Sequence, residues 1–121
     1  MKTLKFRGMN NNGEWLFGGV TPDKKFIAQT FQFKGVRADT VGQFTGFYDN
    51  QNTEIYEGDI IQFKDVPFIV KWLDRTGRFI VENHMTFLTM ANADRYKVVG
   101  NIHENPKLFQ ALWDKFVRKP Y

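Results

Sequence analysis

Hydrophobic and polar residues alternate with a period of two along most of this chain, and short clusters of Gly, Asn, Asp, Thr and Pro break the alternation. That pattern predicts antiparallel strands joined by tight turns. Leu4 and Phe6 alternate with Lys5 and Arg7 as a half-buried first strand. Asn10-Asn11-Asn12-Gly13 turns the chain, and residues 14–17 return. Gly18-Gly19 ends that strand, and Thr21-Pro22-Asp23 marks a further turn. Residues 26–33 read as one strand, with Phe31 and Phe33 on one face and Gln32 on the other, and Lys34-Gly35 as the turn after it. Residues 36–41 lead into the densest stretch, 43–63.

In that stretch residues 44–48 are aromatic and β-prone. Asp49-Asn50-Gln51-Asn52 is a run of turn formers, and Thr53-Glu54-Ile55-Tyr56 a short strand. Gly58 suits a turn position with positive φ, Asp59 has a side chain that bonds nearby backbone donors, and Ile60-Ile61-Gln62-Phe63 resumes the strand pattern. Residues 66–73 follow, with Phe68, Val70 and Trp72 on one face; Pro67 marks an edge strand or a strand start. Asp74-Arg75-Thr76-Gly77 is a hairpin loop, and residues 79–82 return with Phe79 and Val81 on one face. Residues 84–94 fit either one helical turn or a loop with buried apolar side chains. Tyr96, Val98 and Gly100 alternate as a last strand.

Beyond it the period changes. Leu108, Phe109, Leu112, Trp113, Phe116 and Val117 recur at helical spacing, with Asn105 placed as N-cap, Pro106 at the first helical position and Lys115, Arg118 and Lys119 near the C-terminal end. The predicted fold is mainly β: a small SH3-like barrel with an additional N-terminal β-subdomain and a C-terminal helix. Residues 1–106 form the β domain, 1–42 its N-terminal strands and 43–104 the barrel; residues 107–121 form the amphipathic helix and a basic tail.

Three short strings carry a resemblance. Thr45-Gly46 followed by Glu54-Ile55-Tyr56-Glu57-Gly58-Asp59-Ile60 is similar to the signature of the YopX family of phage and prophage proteins. Val98-Val99-Gly100-Asn101-Ile102-His103-Glu104-Asn105-Pro106 resembles that family's closing motif, and Leu4-Lys5-Phe6-Arg7-Gly8 with Gly13-Glu14-Trp15 its opening. The three lie in family order and bracket residues 4–106. His103 stands where the family places an aromatic, and the chain runs past Pro106 into its apolar-basic tail. The resemblance implies a two-part β fold, a homo-oligomer, and a bacterial host cell as the setting. It implies no catalytic role.

Composition changes this picture little. The length fits one domain with a small core. Aromatics make up 17%, and 13 Phe suit a compact β core with few interior positions. Cys is absent, which excludes disulfides and Cys-based zinc sites. No apolar run is long enough to span a membrane, and MKTLKFRG has no apolar leader core, so the expected location is the bacterial cytoplasm, away from membranes. The formal net charge is +4. Residues 107–121 hold Lys107, Lys115, Arg118 and Lys119 against Asp114, so the high pI reads as a property of the tail on a near-neutral body.

Catalytic chemistry finds no foothold. His84 and His103 share no metal-ligand spacing. Glu57 and Asp59 flank Gly58, which favours turn chemistry over a carboxylate pair. The acidic residues from Asp49 to Asp65 read as a solvated face rather than a cation site. No nucleophile motif or phosphate-cradling glycine loop occurs. The expectation is a protein without enzymatic activity, cofactor or metal. Gly46, Tyr56, Gly58, Asp59, Gly100 and Asn101 are expected as turn and strand-end determinants. Two binding readings remain. In one, Leu108, Phe109, Leu112, Trp113 and Phe116 dock a sister subunit or a phage or host protein, unless that face packs on its own β domain. In the other, nucleic acid lies against Lys71, Arg75 and Arg78, joined by Lys5 and Arg7, with Trp72 or Tyr96 stacking on bases. The second requires the basic residues and an exposed aromatic to share one concave face.

Overall fold

The computed structural model describes residues 4–28 and 33–119. The chain divides into two compact units, residues 1–46 and 47–121. In the first, β1 (Phe6–Met9) lies between β2 (Trp15–Gly18) and the start of β5 (Gly42–Tyr48) in antiparallel order. Asn10 closes the β1–β2 hairpin: its Oδ1 accepts from Asn12 N and Glu14 N, both at 2.9 Å. A second ribbon pairs β3 (Phe26–Ala28) with β4 (Phe33–Gly35). The expected single strand over 26–33 is therefore a hairpin, since Ala28 pairs with Phe33. Lys34-Gly35, expected as a turn, lies in β4. The alternation that suggested one strand runs through both arms. Phe31 and Gln32, expected on opposite faces of that strand, lie outside the described residues.

Ile27 is fully buried on the inner side of this ribbon, while Phe26 and Phe33 point away from it at 42% and 66% exposure. Gly18 lets β2 approach closely. Its φ is +151°, and a Cβ there would stand 2.4 Å from Ala28 O. A 3₁₀ turn at Ala38–Thr40 follows, and Thr40 Oγ1 accepts from Met9 N at 2.8 Å.

In the second unit β6 (Glu54–Tyr56) precedes β7 (Asp59–Phe63), β8 (Val66–Leu73), β9 (Arg78–Glu82) and β10 (Phe87–Thr89). A 3₁₀ segment (Met90–Arg95), β11 (Lys97–Asn101) and α1 (Leu108–Val117) complete it. The ambiguous residues 84–94 thus become a short strand and a 3₁₀ segment. Five strands form an antiparallel sheet in the order β10-β9-β8-β7-β11. The mainly β expectation holds, and closure into a barrel is not found: β10 and β11 are the sheet's two edges, and no pairing between them closes it among the described residues. Of the two readings of Pro67, the strand start is the one found: it lies at the start of β8, opposite Gln62, and β8 is an interior strand. The core packs Ile55, Ile61, Phe68, Val70, Phe79 and Val81 with Met90, Ala93 and Tyr96 from the return segment.

Candidate functional site

Two of the glycines expected at turns and strand ends have positive φ: Gly46, which lies within β5, at +86°, and Gly58, in the β6–β7 turn, at +92°. Asp59, 1% exposed, accepts from Tyr56 N at 2.8 Å, so its carboxylate closes the β6–β7 turn. The Tyr56 hydroxyl donates to Glu54 Oε1 at 3.0 Å. The Gly58 N–H reaches Val70 O, and its carbonyl accepts from Ile102 N. A Cβ at Gly58 would meet only ordinary contacts, 3.5 Å from His103 Nε2. Substitution there carries a conformational cost alone, heaviest for a β-branched side chain. Gly58→Val is expected to lose about 2 kcal/mol and Gly58→Ala about 1. Thermal melts decide this; an unchanged Tm for Gly58→Val contradicts it.

Asn101 turns the chain from β11 towards α1. Its Oδ1 accepts from His103 N and Glu104 N at 3.0 and 2.9 Å, and its Nδ2 donates to Glu104 Oε1 at 2.9 Å. Asn105 Oδ1 accepts from Asn101 N at 3.2 Å. That bond explains a correction. Asn105 was expected to cap the helix, yet α1 starts at Leu108 with Lys107 at its N-cap and no capping side chain. The Asn105 oxygen is already committed to the turn. Gly100 makes room for it: a Cβ there would stand 2.6 Å from Asn105 Oδ1 and 2.8 Å from Leu108 Cδ2.

The apolar face of α1 packs within its own unit, against β8. Trp113 is 8% exposed; Leu108, Phe109, Leu112 and Phe116 are half-buried. His84 packs edge-on to Phe109 and Trp113, with ring centres 5.4 and 5.1 Å apart. Beside Trp113 and Phe116 opens an apolar pocket of about 370 Å³, floored by Phe63, Val66, Phe68 and Leu88. Asn83, Met85 and Thr86 form one rim and Lys64 the other. Asn83 shapes that rim, accepting from Met85 N and Thr86 N and donating to Pro67 O. Met85 is 77% exposed and Phe87, on the edge strand β10, is 53% exposed.

The family model for YopX protein matches residues 2–110, which is most of the chain. The chain belongs to the YopX family. A crystal structure of protein EF1440 from Enterococcus faecalis is similar to it at a TM-score of 0.56 and 27% identity, covering 88% of this chain and 98% of that one. No curated protein matches.

The YopX fold separates the residues expected to hold nucleic acid. Lys71 lies on β8 and pairs with Glu82 at 2.6 Å. Trp72, its neighbour, points to the opposite face of the strand, packs edge-on to Phe79 and donates from Nε1 to Asp74. Arg75 sits in the β8–β9 turn, and Arg78 pairs opposite Leu73, on the Lys71 side. Tyr96 is fully buried, donates its hydroxyl to Thr89 O, and has its pKa pushed up by that burial. It is a core residue, which corrects its assignment to base stacking. Lys5 and Arg7 lie in the first unit over the rings of Phe44 and Trp15.

Two groups escaped sequence reasoning in this YopX chain. One is the rim and edge strand of residues 83–93, which contain no Asp, Glu, Lys or Arg. The other is the β3–β4 ribbon, where residues 24–37 contain Lys24, Lys25, Lys34 and Arg37 and no acid. The first is visible as a charge-free run and the second as a run of cations, but the first was read as an ambiguous loop and the second as a strand and a turn.

Proposed function

We propose that this YopX-family protein is a non-catalytic, phage- or prophage-derived interaction module of the bacterial cytoplasm, and that it self-associates through β10 and the adjoining pocket. One observation carries the reading: the edge strand β10 turns Leu88 to an open apolar pocket that Met85 also lines and leaves Phe87 exposed on its other face, in a segment without a charged residue. Exposed sheet edges are ordinarily guarded by Lys, Pro or inward charges, because an unguarded edge pairs with another chain. An uncharged edge also suits an isologous contact, where each residue near the two-fold axis meets its own copy and like charges would repel. Two β10 strands side by side would continue the sheet and cover Phe87 and Met85. Met85 is long and unbranched, and adapts to an apolar surface. The sheet itself supports an opened SH3-like reading: four strands in sequence, a 3₁₀ segment, and a fifth strand returned beside the first.

Light scattering after size exclusion tests the proposal. The wild type is expected as a dimer or larger. The Met85→Lys, Phe87→Lys protein is expected as a monomer with an unchanged far-UV spectrum, since both positions are exposed. A monomeric wild type at high concentration, or an oligomer indifferent to both substitutions, overturns it.

A further inference from the structure

The charge of this protein is segregated. Residues 1–46 hold seven Lys or Arg against three Asp or Glu, whereas residues 47–121 hold ten of each. The first unit therefore carries the whole net charge of +4. The positive tail is balanced inside its own unit, which revises the reading of the pI as a tail property.

Within the first unit the charge gathers on the β3–β4 ribbon. Lys24, Lys25, Lys34 and Arg37 are all exposed, and no ion pair among the described residues holds any of them. Asp23, next to Lys24 in sequence, accepts from the Thr21 hydroxyl and from Lys25 N and feels the Lys25 charge, and the Arg37 guanidinium donates to Met9 Sδ at 3.2 Å. Phe26 and Phe33 share the outward face with Ala28 and Gly35, because Phe26 pairs with Gly35 and Ala28 with Phe33. The side chains between the two rings are thus the smallest available. A Cβ at Gly35 would stand 4.0 Å from Phe26 Cε1, so that ring lies beside bare backbone. The ribbon's other face holds Ile27, fully buried, and its pair Lys34, whose long exposed side chain reaches the outward face only around the ribbon's edge.

We propose that this outward face binds single-stranded nucleic acid, with Phe26 and Phe33 stacking on bases and Lys24, Lys25, Lys34 and Arg37 meeting phosphates. Flat rings kept clear by small neighbours and flanked by cations match a strand that offers base faces and phosphates together. A duplex hides its base faces in the stack. An acidic protein would meet the cations but has no need of two bare rings. Strands of three residues span about 10 Å, room for about two or three nucleotides. This site lies in the first unit and is independent of the self-association proposed above.

Fluorescence anisotropy of the full chain tests it, with a labelled oligothymidylate of about 15 nucleotides and a duplex of equal length. The wild type should bind the single strand at low salt, about tenfold more tightly than the duplex. The log–log salt slope should fall between about −1 and −3, as expected for up to four phosphate contacts. Phe26→Ala with Phe33→Ala should weaken binding at least tenfold and leave the slope unchanged. Lys24→Glu with Lys34→Glu should weaken binding and flatten the slope. The single Phe33→Ala protein, altered at the more exposed ring, serves if the double variant fails to fold. The proposal is overturned by no binding at low salt, by equal affinity for the duplex, or by aromatic variants that bind as the wild type does.

Discussion

An Asp49→Ala protein is expected to melt about 10 °C below the wild type, a loss of about 3 kcal/mol. Asp49 is 4% exposed, and its two oxygens serve two distant segments. Oδ1 accepts from Gln51 N at 2.8 Å and Thr53 N at 2.9 Å, closing the turn before β6. Oδ2 accepts from Val98 N at 2.9 Å, in β11. Asn50 N adds a bond to Tyr96 O on the same segment. The Gln51 and Thr53 amides lie at exposed residues, where water can replace the carboxylate. The Val98 amide lies at a half-buried residue in β11, and losing a charged acceptor there carries most of the cost.

The same carboxylate makes a pH prediction. Burial alone would push its pKa up, but the backbone N–H groups of Val98, Thr53 and Gln51 outweigh that and hold it below the ordinary 3.8. A carboxylate with a lowered folded pKa contributes stability that is fully present above its unfolded pKa. That stability is lost as pH falls through the folded value. The Tm difference between wild type and Asp49→Asn should therefore be largest near neutral pH and shrink as pH falls below 3.8. Calorimetry across that range checks it. A difference that stays constant to low pH assigns the effect to shape rather than charge.

Trp113→Ala is the other large change, with an expected cost of about 3–5 kcal/mol. Trp113 is the one buried residue of α1; it packs edge-on to His84 outside the helix and stands beside Phe109 and Phe116 within it. Its loss removes one wall of the pocket as well. The Lys119–Asp65 pair at 3.3 Å does not rescue the helix, because exposed ion pairs contribute about 0–1 kcal/mol. Substitutions at exposed Gln110 should stay within about 0.5 kcal/mol, so the contrast separates interior from surface. Melting followed by near-UV dichroism reads both. A Trp113→Ala protein as stable as the wild type would mean that α1 is not held by its own unit, leaving Leu108, Phe109, Leu112 and Phe116 for another chain.

Much of the fold was legible because turns are local. Gly58, Gly77, Asp59 and Asn101 each act within a few residues, so their chemistry can be read from neighbours in sequence. The helix was legible from its spacing, but not its start. Asn105 looks like a cap until Asn101 N, four residues back, takes its oxygen. The hairpin at 26–35 was missed because alternation is the same in one strand as in two arms of a ribbon.

By itself the sequence determined the chain's family resemblance, its mainly β character, its turns and its amphipathic helix. All of these follow from residue preferences within a turn or two. Only the tertiary structure decided which faces are inside and which strand lies at an edge. Tyr96 and Trp72 are both aromatics in alternating stretches of the sequence, yet one is fully buried and the other 42% exposed. The same holds for charge. A net value averages over the chain, whereas the division into two units leaves one neutral and the other carrying it all. Burial, edges and charge segregation depend on which distant segments become neighbours. A period-two pattern defines two faces for every strand without saying what lies against either.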